Sequence, residues 1–275
     1  MNYTNRGENM TLLKKEIKYT FKNLFIWVLV IILFNLMFAS ITDFITKQNS
    51  PFTTFLEKMP DTFLKAFNMD ISIMSRPEGL FGSEGMTFMY IFFGIFGSLL
   101  ASKLYASEFD NKTIEYLLTK PFSRKRIFIH KLFAIVFDLL ILFGIFLFSE
   151  LLFFKLFVSG QYSNKILFAF SLYLFVTEVF FAFLGILISL YIKSRKLTNS
   201  LLLGILFFMY FASTVTEGVK NTEFLRKISI FHYMPIIETI KNSKVYYINS
   251  IVILLISLIF IVFSLYVFQK QDIKI

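Results

Sequence analysis

Six apolar runs, over about 24–42, 87–106, 132–158, 167–191, 199–216 and 248–268, alternate along the chain with polar breaks. A hydrocarbon layer about 30 Å thick takes about 20 helical residues to cross, so each run predicts a membrane-spanning helix. The expected fold is an all-α polytopic membrane protein, one transmembrane domain over residues 1–275. Ahead of the first run, Leu13, Ile17 and Phe21 recur at steps of four, while Lys14, Lys15, Lys18 and Lys22 occupy other faces. That spacing predicts an amphipathic helix over 8–23 lying in the membrane interface. The second run carries Gly94, Gly97, Ser98 and Ala101 on one stripe, which predicts close packing against a neighbouring helix or a second copy. Asn35, alone in the first run, is expected to join helices.

The polar breaks differ in kind. Residues 43–86 contain Pro51, Pro60 and Pro77 and a Gly79/Gly82/Gly85 cluster, with helical spacing of apolar residues in Phe52, Phe55, Leu56 and Met59 and again in Phe63, Leu64 and Phe67. Two short amphipathic helices at the membrane surface are expected there. Residues 217–247 mix charge with apolar groups around Pro235. The break from Ser107 to Lys131 is the most polar. Within it Ile114, Leu117 and Leu118 share one helical face, Thr113 is placed to cap the start and Pro121 to end it. A helix of about two turns is marginal alone, so this apolar face predicts a docking contact.

Composition narrows the function. The chain is 56% hydrophobic with a mean hydropathy of +0.69, which excludes a water-soluble core. Its 28 Lys and Arg outnumber 18 Asp and Glu, but the basic residues sit at the ends of the apolar runs, which points to membrane topology and anionic lipid and not to nucleic acid. Placing both termini and residues 103–131 on one side collects the larger share of Lys and Arg over the shorter length, so these are expected in the cytoplasm, with 43–86 and 217–247 outside. The absence of cysteine and the separation of His130 from His232 argue against a metal site. No G-x-x-x-x-G-K-[ST], H-E-x-x-H or G-x-S-x-G is present, so the chain is read as neither an ATPase nor a hydrolase.

Asp138, Glu150 and Glu178 fall within apolar runs. A carboxyl at that depth costs a few kcal/mol and faces a partner or a wet cavity. Asp138 and Glu178 are therefore candidates for a substrate pathway, against the plainer reading that hydroxyl groups satisfy them. Glu178 also keeps open a proton-coupled secondary transporter, although no internal repeat accompanies it.

Glu108, Lys112-Thr113-Ile114-Glu115-Tyr116-Leu117-Leu118, Pro121-Phe122-Ser123-Arg124 and Lys131 resemble the E-x-x-x-G-T-x-E-x-L-L-x-x-P-x-S-R…K signature of type 2 ATP-binding-cassette permeases, with Lys112 where that family usually has Gly. The N-terminal helix resembles the family's elbow helix. Ile228 to Pro235 looks like the stretch before its last span, and Phe268 to Ile273 resembles its C-terminal F-x-K-R-D-I, with Gln271 replacing Arg. The resemblance implies that 107–126 is a coupling-helix region seated on a cytoplasmic ATPase subunit. Ile114, Leu117 and Leu118 would enter a groove there, with Glu108, Glu115 and Arg124 at its rim and Thr113 and Pro121 shaping the helix. It further implies ATP and Mg on that partner and no cofactor on this chain, a second permease copy or paralogue, and a bacterial plasma membrane. Compact family members export, which implies an amphipathic peptide or lipophilic compound as cargo and a part in bacteriocin or multidrug resistance.

Overall fold

The structure, a computed structural model, describes residues 3–46, 73, 76–119, 122–214 and 223–271. Among these residues all regular structure is helical, and six helices are long and apolar enough to cross a membrane. They are helix 1 (Tyr3–Thr46), helix 2 (Pro77–Asp110), helix 3 (Arg124–Phe157), helix 4 (Asn164–Ile192), helix 5 (Arg195–Thr214) and helix 6 (Tyr247–Lys270).

Two boundaries differ from the sequence reading. Helix 1 runs unbroken through the expected interfacial segment 8–23 into the first span, because no Gly or Pro interrupts residues 8–46. Helix 2 starts at Pro77 and not near residue 87. Pro77 occupies the first helical turn, where its missing N–H costs nothing, and Gly82 and Gly85 fall in a π-helical turn over Phe81–Gly85. The amphipathic repeats at Phe52–Met59 and Phe63–Phe67 lie outside the described residues.

Helix 4 is the hub, packing along helices 2, 3, 5 and 6. Its approach to helix 2 uses the small-residue stripe. A Cβ added at Gly97 would overlap the backbone oxygen of Glu178 and lie 3.1 Å from the Ala182 nitrogen, and one at Gly185 would lie 2.9 Å from the Ala101 Cβ. The neighbour expected from Gly94, Gly97, Ser98 and Ala101 is thus helix 4 of the same chain. Gly97→Ala meets backbone atoms that cannot rotate away, and is expected to cost about 1–3 kcal/mol. Gly144→Ala, where an added Cβ meets nothing within 4 Å, is expected to stabilise by about 0.5–1 kcal/mol. Thermal unfolding midpoints in detergent should move in opposite directions for these two variants.

Helices 1 and 3 run parallel, since Glu16 meets Lys131 at one end and Asp43 meets Ser159 at the other. Between them Asn35 donates to the Ser149 hydroxyl at 2.9 Å, the joining role expected of it. Buried Ser98, Thr177, Ser189, Ser257 and Ser264 turn their hydroxyls onto carbonyls four residues back, which satisfies them inside apolar packing. Helices 1, 5 and 6 leave broad apolar sides exposed, among them Phe25, Leu33, Phe208, Phe211, Ile259 and Val262.

At the end of the bundle opposite residues 105–131, the chain after helix 5 folds back as Glu223–Ile228, a 3-10 turn over Ile230–Tyr233, and Ile236–Asn242. Tyr246 fastens this segment to the start of helix 6. Its hydroxyl donates to Glu238 at 2.7 Å, and that carboxylate pushes the phenol up to about 12, so it remains a donor at physiological pH.

Candidate coupling site

Helix 2 breaks at Tyr105, whose buried hydroxyl donates to the Phe128 carbonyl at 2.9 Å and whose ring packs on Phe128. A short helix, Ala106–Asp110, follows. The chain then reverses through Asn111 and Lys112 into the helix Thr113–Leu118. Lys112 has φ 57° and ψ 16°, the left-handed region. Glycine enters that region without penalty, whereas a residue with a Cβ gives up about 1–2 kcal/mol. Lys112, at the position where the resemblance has Gly, thus adopts a conformation that glycine enters freely.

Thr113 does not cap the helix as the sequence reading expected. It is already the first helical residue, and its hydroxyl turns back to donate to the Glu108 carboxylate. The other Glu108 oxygen accepts from Lys131 Nζ at 2.7 Å, and Lys131 also donates to Glu16 at 3.0 Å. Lys131 and Glu16 are buried. A charge-assisted cluster thereby joins helix 1, the end of helix 2, the start of Thr113–Leu118 and the start of helix 3. Burying Lys131 and Glu16 is tolerable because the ammonium lies between two carboxylates, both hydrogen-bonded to it, and Glu108 keeps some exposure.

The apolar face of the short helix turns inward, which corrects the expectation of an unpartnered docking face. Ile114 is 4% exposed and Leu117 is 7% exposed, and both join the chain's own core. The short segment between helices 2 and 3 is close enough to the bundle to bury its own apolar residues. The Leu118 side chain and Pro121 lie outside what is described. Tyr116 is 64% exposed on the other side of the helix, with Glu115 half-exposed beside it and with Lys112 and Thr119 exposed at the two ends of the helix.

Arg124 and Glu108 are likewise occupied internally and not at a free rim. Arg124 donates to the carbonyls of Gln269 and Gln271 at 3.3 and 2.5 Å, satisfying the C-terminal end of helix 6. Gln271 in turn donates to the Leu190 carbonyl on helix 4 at 2.9 Å. Asp110 accepts from the Arg195 amide at 3.2 Å and so caps the start of helix 5. Residues 105–131 are thereby bonded to helices 1, 5 and 6, and through Gln271 to helix 4.

Sequence reasoning missed Glu16, Tyr116 and Asp110. Glu16 carried a usable signal. It sits between Leu13 and Thr20 on the stripe that faces helix 3, where an acidic residue demands a buried cation.

The carboxyls inside the spans sit on helices 3 and 4, each in its own surroundings. Asp138 is fully buried on helix 3, with neither carboxyl oxygen hydrogen-bonded among the described residues and with the Lys103 ammonium as a charge acting on it. Lys103 itself donates to the Tyr19 carbonyl at 2.8 Å and lies 4.5 Å from the centre of that ring. Glu150 accepts from Ser171 at 2.8 Å and joins helices 3 and 4. Glu178 is fully buried at the contact between helices 2 and 4. Among the described residues, no group of three His, Cys, Asp or Glu side chains is placed to hold a metal ion.

None of the curated proteins compared with this sequence matches it. A family model described as ABC-2 family transporter protein does, over residues 10–273. That match takes in all six long helices and the segment between helices 2 and 3, so the chain belongs to the ABC-2 family of transporter proteins, as a multi-pass membrane permease.

Proposed function

We propose that this permease is the membrane half of an ATP-driven exporter and that a cytoplasmic ATPase subunit seats on the outward face of Thr113–Leu118. The observation that carries the reading is the two-sidedness of that helix. Ile114 and Leu117 anchor it in the core and Thr113 ties it to the Glu16–Lys131–Glu108 cluster, while Lys112, Tyr116 and Thr119 are exposed on the side away from the bundle with Glu115 half-exposed beside them. An exposed aromatic flanked by charges of both signs suits a hot-spot contact with a polar rim. A helix tied through that cluster to helices 1, 2 and 3 passes a push into the bundle with little loss. ATP and Mg would be held by the partner. Both termini and the coupling region would be cytoplasmic, in a bacterial plasma membrane. A second copy of the chain or a paralogue would complete the transporter, covering part of the apolar surface that helices 1, 5 and 6 expose. The cargo we favour is an amphipathic peptide, with lipophilic compounds as the neighbouring class.

Inverted vesicles test this reading against a proton-coupled carrier. The chain together with its ATPase should accumulate a labelled amphipathic peptide only when ATP is supplied, and Glu178→Gln should leave ATP dependence intact. Accumulation by the chain alone under a pH gradient, abolished by Glu178→Gln, would contradict it.

A further inference from the structure

At the end of the bundle away from the coupling region lies a cavity of about 490 Å³. It is enclosed by the π-helical start of helix 2, the end of helix 5 and the folded-back segment 226–241. Its lining mixes aromatic and apolar residues with Ser83, Thr87 and Ser213. Tyr90 is buried, donates to the Met234 carbonyl at 3.1 Å, and packs edge-on against Phe231 with ring centres 4.9 Å apart, while Tyr210 meets Phe231 from the other side at 5.7 Å. The rim carries charges of both signs, with Glu84 and Glu238 exposed on one hand and Arg226 and Lys241 on the other.

We infer that this cavity is a binding site for the apolar anchor of an amphipathic peptide, whose charged side chains meet the Glu84, Arg226, Glu238 and Lys241 rim. The inference deepens the export reading above and rests on it for the cargo class and for the cavity's position on the outer side. The fit is one of chemistry. A rigid aromatic wall accepts apolar side chains of varied shape at little entropic cost, and a rim of mixed sign accepts a peptide bearing both charges. The volume lies within the range of small-ligand pockets, so it holds an anchoring segment and not a whole peptide. An apolar solute would gain nothing from the rim, and a simple ion nothing from the wall.

The chain contains no cysteine, so one introduced thiol reports on the cavity alone. In cells carrying the complete transporter, Ser213→Cys should react with a membrane-impermeant maleimide. An added amphipathic Leu–Lys peptide at ten times its half-saturating concentration should slow that reaction about tenfold by mass action. A scrambled peptide of the same composition should not. Glu84→Gln or Arg226→Gln should raise the concentration needed by about two- to fivefold, the scale of an exposed ionic contact. Labelling at the same rate with and without peptide would overturn the inference, as would protection by lysophosphatidylcholine but not by peptide. ATP hydrolysis separates the two claims. Peptide-stimulated hydrolysis with an unprotected thiol removes the cavity site and leaves export standing, whereas protection without stimulation keeps the site and removes peptide export.

Discussion

Lys131→Met is expected to destabilise the protein by about 3 kcal/mol, the lower end of the range for breaking a buried ion pair. The substitution keeps the volume of the side chain and removes the one cation between Glu16 and Glu108. Glu16 is then left without its cation and with only 5% of its side chain exposed, while Glu108 retains 22% exposure and some hydration, which sets the lower end of the range. The cost is a desolvation cost, so it should be recovered by removing the stranded charges. Adding Glu16→Gln and Glu108→Gln to Lys131→Met should restore most of the lost unfolding midpoint in detergent. An unchanged midpoint in the single variant, or a triple variant no better than the single, would show that the cluster does not hold these four elements together.

The second large effect concerns the coupling face. The sequence pattern points to Leu117 and Leu118 as the residues whose replacement by charge uncouples the transporter. Leu117 is buried in the chain's own core, so a charge there destabilises the helix itself and says little about a partner. Tyr116 is the informative position, because it is 64% exposed on the outward face. Tyr116→Asp should leave the unfolding midpoint nearly unchanged, as surface substitutions do, while truncation of a central aromatic anchor in an interface costs about 2 kcal/mol or more of binding. That is roughly a thirtyfold loss of affinity for the ATPase.

The six spans were legible because their apolar length leaves few alternatives in a chain of this hydropathy. The Gly94–Gly97–Ala101 stripe was legible for a related reason, since small residues at one helical face have little other use inside a membrane. Periodicity was less informative at the coupling helix. The spacing of Ile114 and Leu117 says which residues share a face, but not whether that face meets the same chain or another one, and here the core takes it. Helix boundaries shifted where local punctuation was misread. Pro77 opens helix 2 instead of preceding it, and the Lys-rich segment 8–23 has nothing in it to end a helix. The resemblance implies Arg124 at the rim of a partner's groove, whereas its bonds go to carbonyls 145 and 147 residues away that no local pattern reveals. Glu16 belongs to the same class, an isolated acid whose meaning depends on a lysine 115 residues further on.

The most direct measurement is ATP hydrolysis by the partner ATPase in the presence of the wild-type chain and of Tyr116→Asp, each reconstituted in the same lipid and checked for an unaltered unfolding midpoint. At a concentration that half-saturates the wild-type complex, the wild-type chain should stimulate hydrolysis and respond to peptide, and Tyr116→Asp should give less than about a tenth of that stimulation. Full, peptide-responsive stimulation by Tyr116→Asp would contradict the claim that the ATPase drives this permease through the outward face of Thr113–Leu118.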